Sequence, residues 1–196
     1  MYKVVALAGK AGSGKDTIMQ RVLAAAPDRF HEIVSCTTRP MREGEVDGKN
    51  YYFLSIEEFA DKINRGQMLE KTSFNNWLYG TPLSSLVEDK VNIGVFNPAG
   101  LRLLSASPQI DLSIVFIVAD AKFRLIRQLN REENPDVDEI IRRYGADEED
   151  FVGMSSEFPK ASWVWNNSLP NQDGAVDFIV GEVREPDGQI HLRYTI

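Results

Sequence analysis

The stretch Lys3-Val4-Val5-Ala6-Leu7-Ala8-Gly9-Lys10-Ala11-Gly12-Ser13-Gly14-Lys15-Asp16-Thr17 decides the architecture. Lys3–Ala8 reads as a short strand, because an apolar run of this length without polar alternation is what a buried parallel strand shows. Asp16–Ala26 follows as a helix with Ile18, Val22 and Leu23 on one face. Between them lies a glycine-rich turn of the form GxxxxGK. Glycines let such a turn close into a cup of inward-facing N–H groups. The helix N-terminus adds partial positive charge at the same point. Lys15 then reaches the outer phosphates of a nucleotide, which makes this a phosphate loop in its proper strand–loop–helix setting. Gly9, Gly12, Ser13, Gly14, Lys15, Asp16 and Thr17 are therefore the candidate ATP-binding residues. The strict motif places Ser or Thr after the lysine, as a Mg²⁺ ligand; here Asp16 stands there, with Thr17 next. A carboxylate at that point can hold Mg²⁺ through water.

Outward from the loop, short β-type runs alternate with helical ones. Ile33–Cys36, Val91–Phe96, Leu112–Val118 and Ser162–Trp165 read as strands, and Gln189–Ile196 as an edge strand. Ser55–Arg65 reads as a helix, with Ser55 and Glu58 spaced as a capping box. Pro98 opens another helix. Ala121–Arg131, Val137–Tyr144, Glu148–Phe158 and Asp173–Val183 complete the helical set. This rhythm predicts a three-layer α/β fold with a mostly parallel central sheet. Residues 37–90 are polar and turn-rich and fit the rhythm poorly, so they read as an inserted substrate subdomain. The expected core is 1–36, 91–120 and 151–196, within one domain of 1–196.

Composition narrows the class. The 196 residues are one domain's worth of chain. Lys and Arg total 22 against 29 Asp and Glu, a net charge of −7. An acidic chain of this kind is not a dedicated duplex nucleic-acid binder. The single cysteine, Cys36, excludes an intrachain disulfide, and two histidines make a histidine metal site improbable. No apolar run approaches the ~18–20 residues of a membrane helix, and the first residues lack a signal-peptide core. The expectation is a cytoplasmic protein with no membrane partner.

The remaining chemistry is concentrated in Ser35-Cys36-Thr37-Thr38-Arg39-Pro40-Met41-Arg42-Glu43-Gly44-Glu45-Val46-Asp47-Gly48-Lys49-Asn50-Tyr51-Tyr52-Phe53. Two arginines three apart with tyrosines downstream can clamp a phosphate, since the planar guanidinium fork binds two oxygens at once. Glu70 and Tyr79-Gly80-Thr81 follow. This block resembles the guanylate kinase family, whose Ser-x-x-Thr-Thr-Arg-x-x-Arg-x-Gly-Glu-x-x-Gly-x-x-Tyr-x-Phe pattern it reproduces. The likeness continues through Arg131, Arg143 and Trp165-Asn166-Asn167, and so covers nearly the whole chain.

The resemblance implies a kinase that moves the γ-phosphoryl of ATP to GMP or dGMP with Mg²⁺, under a helical lid at 121–150. It implies that Arg39, Arg42, Tyr51 and Tyr79 hold the acceptor phosphate and that Ser35, Glu70 and Thr81 read the guanine edge. Arg131 and Arg143 are then lid arginines acting catalytically with Lys15, and Asn166 lies near the adenine. Two positions depart from the family: Asp16, and the segment Val95-Phe96-Asn97-Pro98-Ala99-Gly100, where Val95 and Asn97 replace two aspartates. Asn97 is kept as a guanine contact through its carbonyl. Both departures are similar to ribose 1,5-bisphosphate kinases, which supply the alternative substrate. A non-catalytic interaction module is the other alternative, disfavoured by Gly9, Gly14 and Lys15. Arg124, Arg127 and Arg142 read as exposed helix charges paired with nearby acids, Trp163 and Trp165 as packing residues, and Cys36 as a small buried hydrophobe.

Overall fold

The computed structural model describes residues 1–41, 44–74, 76–131, 133–167 and 173–182. The chain begins with strand β1 (Tyr2–Ala8) and helix α1 (Lys15–Ala25), joined by the glycine turn. Short strands follow: β2 (Phe30–Glu32), β3 (Cys36–Thr37) and β4 (Tyr52–Phe53). Next come α2 (Ile56–Asn64), the hairpin β5 (Met68–Phe74) and β6 (Trp77–Pro82), and a 3-10 turn at Leu83–Ser85. Then come β7 (Val91–Val95), α3 (Pro98–Ser105), β8 (Ile110–Val118), α4 (Ala121–Leu129) and α5 (Val137–Asp150). The short α6 (Met154–Glu157), β9 (Ser162–Trp165) and α7 (Asp173–Glu182) end the described chain.

The sheet containing β1 has the order β2-β7-β1-β8-β9, and its β2–β7 and β8–β9 pairs are parallel. A second sheet has the order β4-β3-β6-β5, antiparallel at β3–β6 and β5–β6. The molecule is thus α/β with a mostly parallel central sheet, as the alternation of runs predicts. By compactness the chain divides into two units, Met1–Ala6 with Asp28–Ser113 and Leu7–Pro27 with Ile114–Ile196. The stretch 37–90 lies in the first unit and 121–150 in the second.

The first unit buries Phe30, Ile33, Ile93, Leu101 and Leu104, with Asn92 among the polar groups inside. Asn92 is satisfied from both ends. Its Oδ1 accepts from the Val87 amide at 2.8 Å, and its Nδ2 donates to the carbonyls of Val87 and Lys3 at 2.8 and 3.1 Å. The second unit buries Ile18, Met19 and Val22 of α1, Phe116 and Ile117 of β8, Met154, and Ile179 of α7. Leu23, expected on the same buried face of α1, is half-buried, and Met19 takes its place. No helix among the described residues is long and apolar enough to cross a membrane.

Three elements differ from the expectation. The Ile33–Cys36 run is not one strand. The Ile33 amide donates to Ile93 at 2.8 Å and prolongs the β2–β7 ladder, whereas Cys36 already pairs with Gly80 and Tyr52 in the second sheet. The chain changes sheets between them. The run Glu148–Phe158 is also divided: α5 continues through Asp150, and Gly153 at φ 78° interrupts the chain before the single turn of α6. Glycine takes that left-handed conformation without a Cβ penalty. Gln189–Ile196 lies outside the described residues.

The capping box at α2 is present in full. Ser55 Oγ accepts from the Glu58 amide at 3.1 Å, and the Ser55 amide donates to Glu58 Oε2 at 2.7 Å. It fixes the entry of a helix whose Phe59 is completely buried. Phe59 sits against Gly80 of β6: a Cβ built there would stand 3.1 Å from Phe59 Cζ, 2.7 Å from the Glu70 carbonyl oxygen and 2.4 Å from Met68 Cε. Met68 can move aside, but the Glu70 backbone cannot without disturbing the β5–β6 ladder. Gly80→Ala is expected to destabilise the fold by about 1–3 kcal/mol through overpacking. Chemical denaturation of the two proteins measures this.

Candidate functional site

The phosphate loop is held by backbone contact that excludes side chains. A Cβ on Gly9 would lie 2.3 Å from the Ile117 carbonyl oxygen, and one on Gly12 2.4 Å from the Arg124 carbonyl oxygen. Gly14, at φ 91°, is the N-cap of α1, so the turn enters the helix through a left-handed residue. Lys15 opens α1, and its Nζ stands 4.0 Å from Asp16 Oδ2. Asp16 is 77% exposed, a carboxylate at the mouth of the loop rather than within the fold. Thr17 is exposed beside it.

Two arginines behind the loop are structural partners of it, which corrects their reading as exposed charges. Arg124 is 3% exposed; its Nη2 donates to Glu148 Oε1 at 2.9 Å, and its guanidinium lies 4.6 Å from the Tyr144 ring centroid. Arg127 Nη1 donates to the carbonyls of Gly12 and Ser13 at 3.1 and 3.3 Å, and its Nη2 to the Asn166 carbonyl at 2.7 Å. Burial lowers the pKa of Arg127, as withdrawal of a cation from water must. Asn166, 2% exposed, donates from Nδ2 to the Ser13 carbonyl at 2.7 Å. Asn166 and Arg127 therefore tie the loop's carbonyls to the end of β9. Those oxygens are thus turned outward to donors, while of the loop's amides Ser13 N–H donates to the Lys10 carbonyl at 3.1 Å. The sequence signal missed here was adjacency in space: 127 and 166 are separated by three elements and carry no common motif. Arg142 does pair with an acid as expected, Glu139, at 2.6 Å.

Helix α5 also touches the loop. Asp147 accepts from the Ala11 amide at 2.5 Å, and Glu148 pairs with Lys10. The Lys10 ammonium, with Arg124 behind it, keeps the Glu148 pKa below the usual carboxylate range. A cavity of about 390 Å³ opens beside these groups, walled by Phe116 and Trp163 stacked at 4.3 Å. Trp163 is thus a packing residue, while Trp165 is 63% exposed. Arg143 donates from Nε to Glu139 Oε1 at 2.7 Å, and Arg131 is exposed beyond the end of α4. Two arginines within reach of Glu139 push its pKa down to about 2. Among the contacts of the described residues, it is Arg124 and Arg127, rather than Arg131 and Arg143, that meet the phosphate loop.

In the first unit, the second sheet gathers the expected acceptor residues. Ser35 and Thr37 share one face of β3 and its approach, as Tyr79 and Thr81 share one face of β6. Ser35 Oγ and Thr81 Oγ1 are 3.3 Å apart, and Thr81 Oγ1 donates to Glu70 Oε1 at 2.8 Å. Glu70 is 8% exposed, and its burial raises the carboxyl pKa against the pull of Thr81. On the same sheet, Arg39 forms a two-pronged pair with Glu45, Nη1 to Oε2 at 2.7 Å and Nη2 to Oε1 at 2.5 Å. Its guanidinium lies 5.3 and 5.4 Å from the ring centroids of Tyr51 and Phe53, and Tyr51 meets Tyr79 edge-on at 6.1 Å. The Glu45 bonds raise the pKa of Arg39 further, so it stays cationic. Arg42 lies outside the described residues. Cys36 is buried, and burial pushes its thiol up to about 11, which rules it out as a thiolate nucleophile.

Asn97 is the N-cap of α3. Its Oδ1 accepts from the Gly100 amide at 2.8 Å, so the carbonyl expected to face a base is engaged by the helix. A Cβ on Gly100 would stand 3.3 Å from that Oδ1 and 3.6 Å from Glu70 Oε2, so both groups flank the first turn of α3.

Among known proteins, the model of the guanylate kinase family matches residues 1–169. The chain is 49% identical over 92 residues to a guanylate kinase of Synechococcus elongatus, and spans about half the length of that relative (49%, against 47% of this chain). Over longer spans it is 36% identical to a guanylate kinase of Streptococcus thermophilus, covering 79% of this chain and 69% of the relative. It is 33% identical to one of Nostoc, covering 81% and 85%. The fold is that of the guanylate kinase structure from Anaplasma phagocytophilum, with TM-score 0.67 over 93% of this chain and 85% of that one, at 20% identity. With the match running from β1 through the phosphate loop and the acceptor block to Asn166, the chain belongs to the guanylate kinase family.

Proposed function

We propose that the protein is a nucleoside monophosphate kinase that transfers the γ-phosphoryl of ATP to GMP or dGMP. The observation that carries this reading is Glu70, a carboxylate held in burial by Thr81 on a chain that also keeps an intact phosphate loop. A buried carboxylate with one oxygen satisfied is costly unless a ligand uses the other. Guanine offers N1–H and a 2-amine as donors, whereas adenine has an acceptor at N1 and no 2-amine. AMP would leave the carboxylate facing a lone pair, a mismatch worth at least ~1–3 kcal/mol.

The remaining residues divide the task. The loop amides and Lys15 hold the donor phosphates. Arg39, Tyr51 and Tyr79, with Arg42, orient the acceptor phosphate as the nucleophile. Arg39 spends three donors on Pro40 and Glu45, which leaves Nε–H and one Nη2–H for phosphate oxygens. No covalent intermediate is required, because phosphoryl transfer rests on positioning and on spreading of negative charge. The lid assigned to 121–150 brings Arg131 and Arg143 to that charge and excludes water, at the cost of releasing Arg143 from Glu139. Mg²⁺ fits the residues present. Among the described residues there is no cluster of three metal-ligating side chains, and Mg²⁺ on ATP needs only one or two carboxylates beside the phosphates. Asp16, exposed beside Lys15, would hold it through water, and the ion would supply neutralising charge at the phosphates.

A coupled ADP-release assay across the nucleoside monophosphates and ribose 1,5-bisphosphate tests the reading; turnover of the sugar phosphate with none of GMP overturns it. Lys15→Met should lower kcat by at least ~10²-fold, as loss of a transition-state donor does, with an unchanged melting temperature. A second expectation concerns the cost of the base reader. Because burial raises the Glu70 pKa, the unfolded chain ionises this group at lower pH than the folded one. Stability is therefore lost as pH rises from the ordinary carboxylate range through the folded value. Glu70→Gln removes that loss, so it should melt higher than the parent at pH 7–8, with the gap closing towards pH 4. The same variant should lose kcat/KM for GMP. A variant less stable at pH 8 than the parent would show the Thr81 bond to dominate.

A further inference from the structure

Helix α5 is thinly packed and strongly charged. None of its 14 residues is buried, and Val137 and Ile141 stand exposed on it. A surface helix is ordinarily held in place by an apolar face set against the core. Towards its C-terminal end α5 is held by polar bonds, and they run to the phosphate loop. Asp147 Oδ2 accepts from the Ala11 amide at 2.5 Å. Glu148 Oε2 pairs with Lys10 Nζ, while its Oε1 accepts from Arg124 Nη2 at 2.9 Å. The ring of Tyr144, one turn earlier, has its centroid 4.6 Å from the Arg124 guanidinium.

Lys10 and Ala11 belong to the GxxxxGK turn, whose backbone N–H groups and nearby cations suit phosphate oxygens. A carboxylate oxygen is the same kind of partner, an anionic acceptor that makes charge-assisted bonds. Asp147 and Glu148 therefore satisfy, from within the chain, donors of the kind a polyphosphate seeks. Direct competition for the Ala11 amide is not required. Both carboxylates stand within bonding distance of the loop, well inside the ~8 Å over which charges act at physiological salt. A polyphosphate in the loop and the two docked carboxylates thus raise each other's energy. The apparent affinity of such a loop falls with the fraction of molecules in which the binding-competent, undocked form is populated.

Resting on the phosphate-loop reading above, we infer that α5 is an autoinhibitory clasp: Asp147 and Glu148 occupy the rim of the donor site in the absence of nucleotide, and a polyphosphate binds by displacing them. Asp147 is the residue on which to test it. Glu148 is also the partner of Arg124, which is 3% exposed, so replacing Glu148 leaves a buried cation without its carboxylate and endangers the fold. Asp147 carries no such second ion pair among the described residues, and alanine in its place keeps α5 helical.

The test is titration calorimetry of the full-length protein with two probes. One is tripolyphosphate without Mg²⁺, which has the donor's phosphates and no base; the other is a non-hydrolysable ATP analogue with Mg²⁺. Asp147→Ala should lower Kd for both by about fivefold or more, the scale of a modest coupling between two binding events. Its thermal unfolding should remain a single transition. Glu149→Gln removes the same charge from the neighbouring position of α5, and Glu149 has no side-chain bond to the loop among the described residues. That variant should change Kd by less than about twofold, as loss of one screened surface charge does. Unchanged or weaker binding by folded Asp147→Ala overturns the clasp; weaker binding of the Mg²⁺-loaded analogue alone would make Asp147 a partner of the metal instead. Equal tightening by Glu149→Gln also overturns it, since the effect would then be the charge of the whole helix. Binding of neither probe to any of the three proteins removes the phosphate-loop reading, and the inference with it.

Discussion

A side chain at residue 9 or 12 has nowhere to go. The Gly9 and Gly12 backbones lie so close to the Ile117 and Arg124 carbonyls that a Cβ would fall 2.3 and 2.4 Å from oxygen. That close approach is what fixes the phosphate loop against β8 and α4, and it sets the polarity of everything around it. The loop's Gly12 and Ser13 carbonyls point away from its concave side, and buried carbonyls need donors. Arg127 and Asn166 are those donors, drawn from elements far apart in the chain. The guanidinium suits the task because its fork reaches Gly12, Ser13 and Asn166 together, which an ammonium could not do in one plane.

The unit that carries Glu70 poses a different problem. Burying the Glu70 carboxylate costs free energy, and Thr81 offsets only part of it, as the raised pKa shows. The sheet carries that cost on a rigid frame. Gly80, between Tyr79 and Thr81, lets Phe59 close one face of β6 while Tyr79 and Thr81 occupy the other. Arg39 is likewise fixed: Glu45 and two aromatic rings hold the guanidinium in one orientation, so little rotamer entropy remains for any further contact to remove.

The sequence made the phosphate loop, the Ser55 cap and β9 legible because each is encoded locally, by glycine spacing, by a capping box or by a run of β-formers. The Ser35–Phe53 block and Glu70 were legible through the family pattern. What escaped was set by tertiary contact. Arg124 and Arg127 have the spacing of surface helix residues, yet one is enclosed by Tyr144 and Glu148 and the other by three carbonyls. Nothing in a single helix reports what packs on it. Ile33–Cys36 has one strand's worth of apolar character, but its two ends pair in different sheets, a choice made by β7 and β6. Asn97 could be seen as a departure, but not that its carbonyl belongs to a helix cap.

The contact of α5 with the phosphate loop follows from the same electrostatics. Asp147 takes the Ala11 amide and Glu148 takes Lys10, so carboxylates lie against the donor-bearing rim of the glycine loop. Both interactions are charge-assisted, and both use donors that a polyphosphate also favours. An anion arriving at the rim meets carboxylates of its own sign. The attraction of α5 for the loop is therefore strongest when no phosphate is near and weakens as negative charge accumulates there. Arg124 holds Glu148 from behind the loop at 2.9 Å, so that carboxylate has a second, buried cation besides Lys10.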